Sequence, residues 1–160
     1  MTDGVTKQYE LVSTRAVLLD ILSTNISDPL TGEEARSSTT YWIFSGEPNP
    51  ADLGKPAPKG WKFPIISFDY PEVEAENRVV DGSKQAITSQ TLVTIRARSR
   101  ATAAALADQV KHIFTTTGQS ELKKGALFGP DVLSTTHSSD YIGGNKYYEI
   151  MIDFQFKRFD

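Results

Sequence analysis

The sequence predicts an α+β fold, a mainly antiparallel β-sheet with two helices packed on one face. Three observations predict it. Tyr147 to Phe159 alternates strictly: Tyr148, Ile150, Ile152, Phe154 and Phe156 fall on one side, and Glu149, Met151, Asp153, Gln155 and Lys157 on the other. That is the pattern of a strand in a sheet with one buried face. Gln90 to Arg98 alternates too, with Thr91, Val93, Ile95 and Ala97 against Leu92, Thr94, Arg96 and Arg98. The period then changes at once. Ala103, Leu106, Val110 and Ile113 make one helical stripe, widened by Ala107 and Phe114. Ser99 stands at the N-cap position and Gly118 at that of a C′ glycine.

The remaining elements follow in chain order. Thr6 to Thr24 reads as a helix with a stripe through Val12, Ala16, Leu19 and Leu22 or Ser23. Leu11, Leu18 and Ile21 broaden it, and Asn25 and Asp28-Pro29 stop it. Leu30 to Ser38 is a polar loop. Tyr41 to Ser45 is a short aromatic and β-branched strand. Gly46 to Lys62 holds four prolines and three glycines in seventeen residues and cannot form a regular element. Structureless stretches of this length are uncommon and usually either mobile or functional. Lys55, Lys59 and Lys62 make it basic, and Trp61 ends it.

Phe63 to Tyr70 is the next strand, with Ile66, Phe68 and Tyr70 on one face and Pro64 marking a strand start or an edge. Residues 71–89 read as a projecting acidic hairpin turning at Asp81-Gly82. Glu72, Glu74 and Glu76 share one face of it at period two. Gln119 to Pro130 reads as a loop with a helical turn near Leu122, Val132 to Ile142 as a weak strand, and Ile142 to Lys146 as a tight hairpin. The order is thus α-β-β-hairpin/β-α-β-β within a single domain over 1–160, the default for this length.

Composition narrows the function classes. Net charge is −3, with 39% apolar and 23% charged residues. That argues against a chain that coats nucleic acid, which needs concentrated Lys and Arg. There is no cysteine, so disulfides, thiolate metal sites and thiol nucleophiles are excluded. No apolar run approaches the ~20 residues that span a bilayer, and MTDGVTKQYE lacks the form of a signal peptide.

Catalytic patterns are missing. The two histidines, His112 and His137, have no HxH or HExxH spacing. Thr135 to Asp140 (TTHSSD) offers Ser, His and Asp, but residues adjacent on one strand do not converge on a substrate. Gly143-Gly144 is a turn rather than a phosphate loop, since no helix follows. The glutamates at period two repel unless cations meet them. Arg96 and Arg98 share the outer strand face. Arg100 at the helix start opposes the macrodipole by ~0.5 kcal/mol. Arginine forks suit carboxylates or phosphates. The expectation is a chain without catalytic, cofactor or metal sites, whose candidate contacts are Arg96, Arg98, Arg100, Glu72, Glu74, Glu76, Lys55, Lys59 and Trp61.

The element order, and the phrase VTIRARSRATAAALADQVKHIF (Val93 to Phe114) in particular, resembles the tail terminator (tail completion) family of long-tailed, siphovirus-type bacteriophages. In that family a strand ending near "ARSR" runs into an Ala-rich helix of the form xxAxxLAxxV. An N-terminal helix and a closing hairpin with a long last strand match as well. The resemblance implies a structural role in the virion, at the head-proximal end of the tail, after assembly in the host cytoplasm. It implies a hexameric ring that caps the tail tube, stops its polymerisation and joins the head. The partners would be further copies of the chain, the tube protein and the head connector or neck protein, with neither membrane nor sequence-specific nucleic acid involved. The family has no catalytic residues to carry over. The acidic hairpin and the arginine row would then supply complementary charge across a ring contact. Two alternatives stay open: another neck or head-completion connector, and a small α+β ligand-binding module.

Overall fold

A computed structural model of the chain describes residues 17–31, 35, 42–45, 62–68, 72–78, 85–117, 122, 127–142 and 144–159. The fold is α+β. Helix α1 covers residues 17–25 and α2 covers Arg100–His112. The strands are β1 (Ile43–Ser45), β2 (Ile65–Phe68), β3 (Glu72–Arg78), β4 (Gln85–Ala97), β5 (Leu127–Ile142) and β6 (Asn145–Phe159). They form one sheet in the order β1-β2-β4-β6-β5, with β3 paired to β4 off that path. Every pairing is antiparallel except β1 with β2. Parallel neighbours need a long return connection, and the Pro- and Gly-rich stretch separates these two in sequence. Residues 46–61 of that stretch, with Lys55, Lys59 and Trp61, lie outside the described residues.

β4 is an inner strand of 13 residues, next to the 15-residue β6. β6 runs along one of its edges from Ala86 to Ala97. The other edge is shared in succession. β3 occupies Gln85 to Gln90 and β2 occupies Val93 to Arg96. The returning arm of the expected hairpin and the expected strand are therefore one continuous strand of 13 residues, and β3 is the other arm. The expected row of three glutamates is interrupted. A register shift lies between Val73 and Ala75, so Glu72 pairs with Gln90 but Glu76 with Ile87. Those partners are an odd number of residues apart, which breaks the strict period of two.

One face of the sheet carries the core. Register places Ile66, Ile95 and Ile150 in one row and Phe68, Val93 and Ile152 in the next. Phe154 and Phe156 continue it, and all eight are buried against α1 and α2. From α2, Ala103, Leu106, Ala107 and Val110 face inward, as their spacing predicts. Ser99 caps the helix: its Oγ accepts the Thr102 N–H at 3.1 Å. Lys111 and His112 occupy the last turn, where positive charge suits the macrodipole. The helix then widens into a π-helical turn, Ile113–Thr117, in which the Thr115 hydroxyl donates to Lys111 O at 2.6 Å. The turn keeps both Ile113 and Phe114 buried. Phe114 meets Phe154 and Phe156 edge-on at 5.0 and 5.8 Å. Gly118 lies outside the described residues.

Within the described part of α1, the expected Leu18, Ile21 and Leu22 are buried, followed by Ile26, while Leu19 of the expected stripe is only half-buried; Leu11, Val12 and Ala16 lie outside the described residues. A helix apolar over a broad arc offers two nearly equivalent stripes, and the sheet selects between them. Its end is as read from the sequence. Asn25 Nδ2 donates to Ile21 O at 2.7 Å, and Asp28 Oδ1 accepts the Leu30 N–H at 3.0 Å in an Asx turn around Pro29.

Strand β5 begins at Leu127, five residues before the expected Val132. Gly129 has φ 56°, and the register shifts between Phe128 and Asp131 and again between Val132 and Ser134. Each shift moves later side chains to the other face, which is why alternation was faint in the sequence. Pro130 is tolerated because β5 is an edge strand. The hairpin to β6 closes with Ile142 opposite Asn145 and Gly144 at φ 79°, as a two-residue turn requires.

Thr91 Oγ1 is buried on the core face with no hydrogen-bond partner among the described residues. A buried, unsatisfied hydroxyl destabilises. Thr91→Val is expected to raise stability, by up to about 1 kcal/mol, in urea unfolding. Phe114→Ala is expected to lower it by about 3–5 kcal/mol in the same measurement.

Candidate interaction surface at the hairpin end of the sheet

The β5–β6 hairpin, the end of β4 and the start of α2 meet at one end of the molecule. Pairing of Ala97 with Tyr148 and Arg96 with Glu149 brings them together. This end carries the arginines singled out in the sequence, and the structure divides them. Arg96 is 8% exposed, and its Nε donates to Glu149 Oε2 at 2.7 Å. It belongs to an internal ion pair across the β4–β6 ladder, so the expected open outer face ends before it. Burial follows from the sheet. Ile65, Ser67 and Thr94 on the same face are also buried, so this part of the sheet is covered on both sides.

Arg98 and Arg100 are exposed. The Arg98 guanidinium lies 4.7 Å over the Phe63 ring, which itself stacks on Tyr147 at 5.3 Å. Arg98 Nη1 points at Asn145 O across 3.5 Å, at the limit of a hydrogen bond. Arg100 lies 5.4 Å from the Tyr148 ring, and Lys146, also exposed, lies 5.3 Å from the same ring. Cation–π contact occupies the face of a guanidinium and leaves N–H edges available to a carboxylate. Among the described residues no carboxylate holds Arg98, Arg100 or Lys146. Asp140 on β5 is the nearby acid, and its Oδ1 accepts the Tyr141 N–H at 2.8 Å. The N-terminus of α2 adds positive potential to the same end.

Lys146, Tyr148, Phe63 and Glu149 did not stand out in the sequence. Lys146 directly follows a hairpin turn, which hints at position, but its proximity to Arg100 depends on β6 pairing with β4 rather than with another strand. The glutamates of β3 lie elsewhere. Ile87, opposite Glu76, precedes Arg98 by eleven residues along one strand, about 36 Å at ~3.3 Å per residue. Glu72, opposite Gln90 near the middle of β4, lies about 26 Å from Arg98 by the same measure, so β3 flanks the first half of β4 and does not sit beside the arginines.

Two open grooves flank the cationic end. One, of about 340 Å³, lies between α2 and β5 and is lined by Arg100, Ala103, His137, Ser139 and Tyr148, among others. The other, of about 550 Å³, is lined by Lys62, Phe63, Pro64, Arg98 and Ser99, among others. His137 and Ser139 face the first groove from one exposed strand, and no hydrogen bond joins them among the described residues. His112 is exposed on α2. No group of three or more metal-binding side chains occurs among the described residues, and no described helix is long and apolar enough to cross a membrane.

No family model and no curated protein matches this chain. In fold it is similar to a solved chain described as "Virion of native gene transfer agent (GTA) particle". The TM-score is 0.54 at 13% identity, over 91% of this chain and 94% of that one. At that identity the likeness is one of fold. The architecture, helices on one face of an antiparallel sheet, is therefore one that a virion particle component also carries.

The buried ion pair can be weighed directly. Glu149→Ala removes the carboxylate 2.7 Å from the buried Arg96 and is expected to destabilise by roughly 3 kcal/mol. Arg96→Met combined with Glu149→Met is expected to recover most of that loss, because the buried charge is removed together with its partner. A double-mutant cycle by urea unfolding measures both.

Proposed function

We propose that this chain is a structural subunit of a phage-like virion, of the tail terminator type, forming a ring that caps the tail tube and meets the head connector. The observation that carries the reading is the fold shared with a gene transfer agent virion chain over 91% of this sequence and 94% of that one. The Val93 to Phe114 phrase, a strand running into an Ala-rich helix, supports the narrower assignment. The surface is compatible with it. The described residues offer a cationic end, a 16-residue edge strand and shallow grooves, which suit contacts with other protein chains more than turnover of a small substrate. On this reading residues 46–62, with Lys55, Lys59 and Trp61, are a docking element toward tube or connector, since proline lowers the entropy lost on ordering.

Negative-stain imaging with a mass measurement tests the proposal. The expected result is a six-fold ring of about 106 kDa, six times the 17.7 kDa chain, free in solution or seated on the ends of tail tubes. Rings that bind head connectors and ignore tube ends would move the assignment to a neck or head-completion protein. A chain that is monomeric in both settings overturns it.

A further inference from the structure

We propose that the free edge of β5 receives an extended segment of a different protein as an added strand, with carboxylates at alternate positions turned toward Arg100 and Lys146. Three features of the surface meet there. The first is the edge itself. β5 ends the sheet, and β6 is its one strand partner among the described residues. An edge strand offers a row of backbone N–H and C=O groups to another chain, and proteins commonly blunt such edges with proline, lysine or bulges. β5 has such devices near its start, as Pro130 and two register shifts. From Ser134 to Ile142 its pairing is regular, without proline or lysine. Asp140 Oδ1 takes up the Tyr141 N–H, so the open stretch runs over residues 134–140. The second feature is apolar surface. Among the described residues the exposed large hydrophobic side chains are Val132, Leu133 and Tyr141, and all of them lie on β5. No described β5 side chain belongs to the core beneath the helices. Apolar side chains gathered on one exposed strand mark a contact surface.

The third feature is charge, and it sets the chemistry of the occupant. Register places Thr135, His137 and Ser139 opposite Ile152, Ile150 and Tyr148, on the helix side of the sheet. Arg100 and Lys146 both meet the Tyr148 ring, and His137 and Ser139 line one groove with Arg100. In a strand added to β5, the residues opposite Thr135, His137 and Ser139 turn to that same side. Carboxylates there face two cations that no described carboxylate holds. The residues between them turn to the other face, where Asp131 and Asp140 lie opposite Gln155 and Tyr147, so neutral side chains suit those positions. A second copy of β5 fits less well. Paired antiparallel, with the helices kept on one face, it would present Thr135, His137 and Ser139 to the cations and turn both of its acids away. Nucleic acid lacks the peptide groups that continue a sheet, and Asp131 and Asp140 repel phosphate. The contact requires no ring and is independent of the reading above.

Titration of the full chain with short synthetic peptides that alternate Glu and Val, read by calorimetry and by amide hydrogen exchange, tests this. The alternating peptide is expected to bind and to slow exchange at amides within residues 134–140. A peptide of the same composition with its glutamates in one block is expected to bind roughly tenfold more weakly, and high salt to weaken the alternating peptide by a similar factor. Arg100→Gln combined with Lys146→Gln is expected to cost about tenfold in affinity, with the urea midpoint unchanged, since both side chains are exposed. Arg98→Gln is the control: Arg98 lies against Phe63 instead of Tyr148, and this variant is expected to bind as wild type does. The proposal is overturned by an alternating peptide that fails to bind, or that binds without slowing exchange over 134–140. A double variant that binds as tightly as wild type, or an Arg98→Gln chain weakened as much as the double variant, overturns it too. So does a short DNA duplex that displaces the peptide. A chain that self-associates with these amides already protected gives the edge to a second copy and sinks the proposal, while leaving the ring reading standing.

Discussion

The ladder between β4 and β6 is the constraint on which the rest of the structure depends. It runs unbroken from Ala86 opposite Phe159 to Ala97 opposite Tyr148. Because side chains alternate, this one register decides which residues of both strands face the helices. It aligns Val93 with Ile152 and Ile95 with Ile150, giving α2 an apolar floor. A slip by one residue would put Arg96 and Glu149 into that floor and turn the isoleucines away. The same ladder is long enough for β2 and β3 to share the far edge of β4. That separates a covered core region from a ribbon-like extension.

Polar residues inside the ladder sharpen the register. Arg96 opposite Glu149 is a buried cross-strand pair, and only the native register joins it. Such a pair adds little to stability over an apolar replacement; what it adds is that only one register satisfies it. One step further along β4, Arg98 leaves the sheet and meets Phe63 and Tyr147 instead. Two arginines of the same strand face thus have different roles. The covered part of the sheet holds the first, and the second lies at its rim.

That rim lies at the end of a continuous 13-residue strand, and the helices sit on one face of the sheet. A gene transfer agent virion chain has a similar fold, while the charges at the rim are this chain's own.

How much was legible from the sequence follows from the range of each interaction. Strict alternation in β6 and the change of period at Ser99 are local, and they gave the second half of β4, α2, the Ser99 cap and a tight β5–β6 hairpin. The start of β5 was hidden because Gly129 and two register shifts erase alternation. The inward side of α1 was ambiguous because its apolar arc is wide, and only contact with the sheet selects Leu18 and Leu22. The candidate surface divides in the same way. The sequence by itself determined the fold class, the absence of thiol chemistry and the charges that the chain carries. Only the tertiary structure decided that Arg96 is internal, that Lys146 joins Arg100, and that β3 flanks the first half of β4 rather than the arginines. The reason is that strand pairing is a long-range choice: a residue's own sequence neighbourhood sets its face, and the partner strand sets its neighbours.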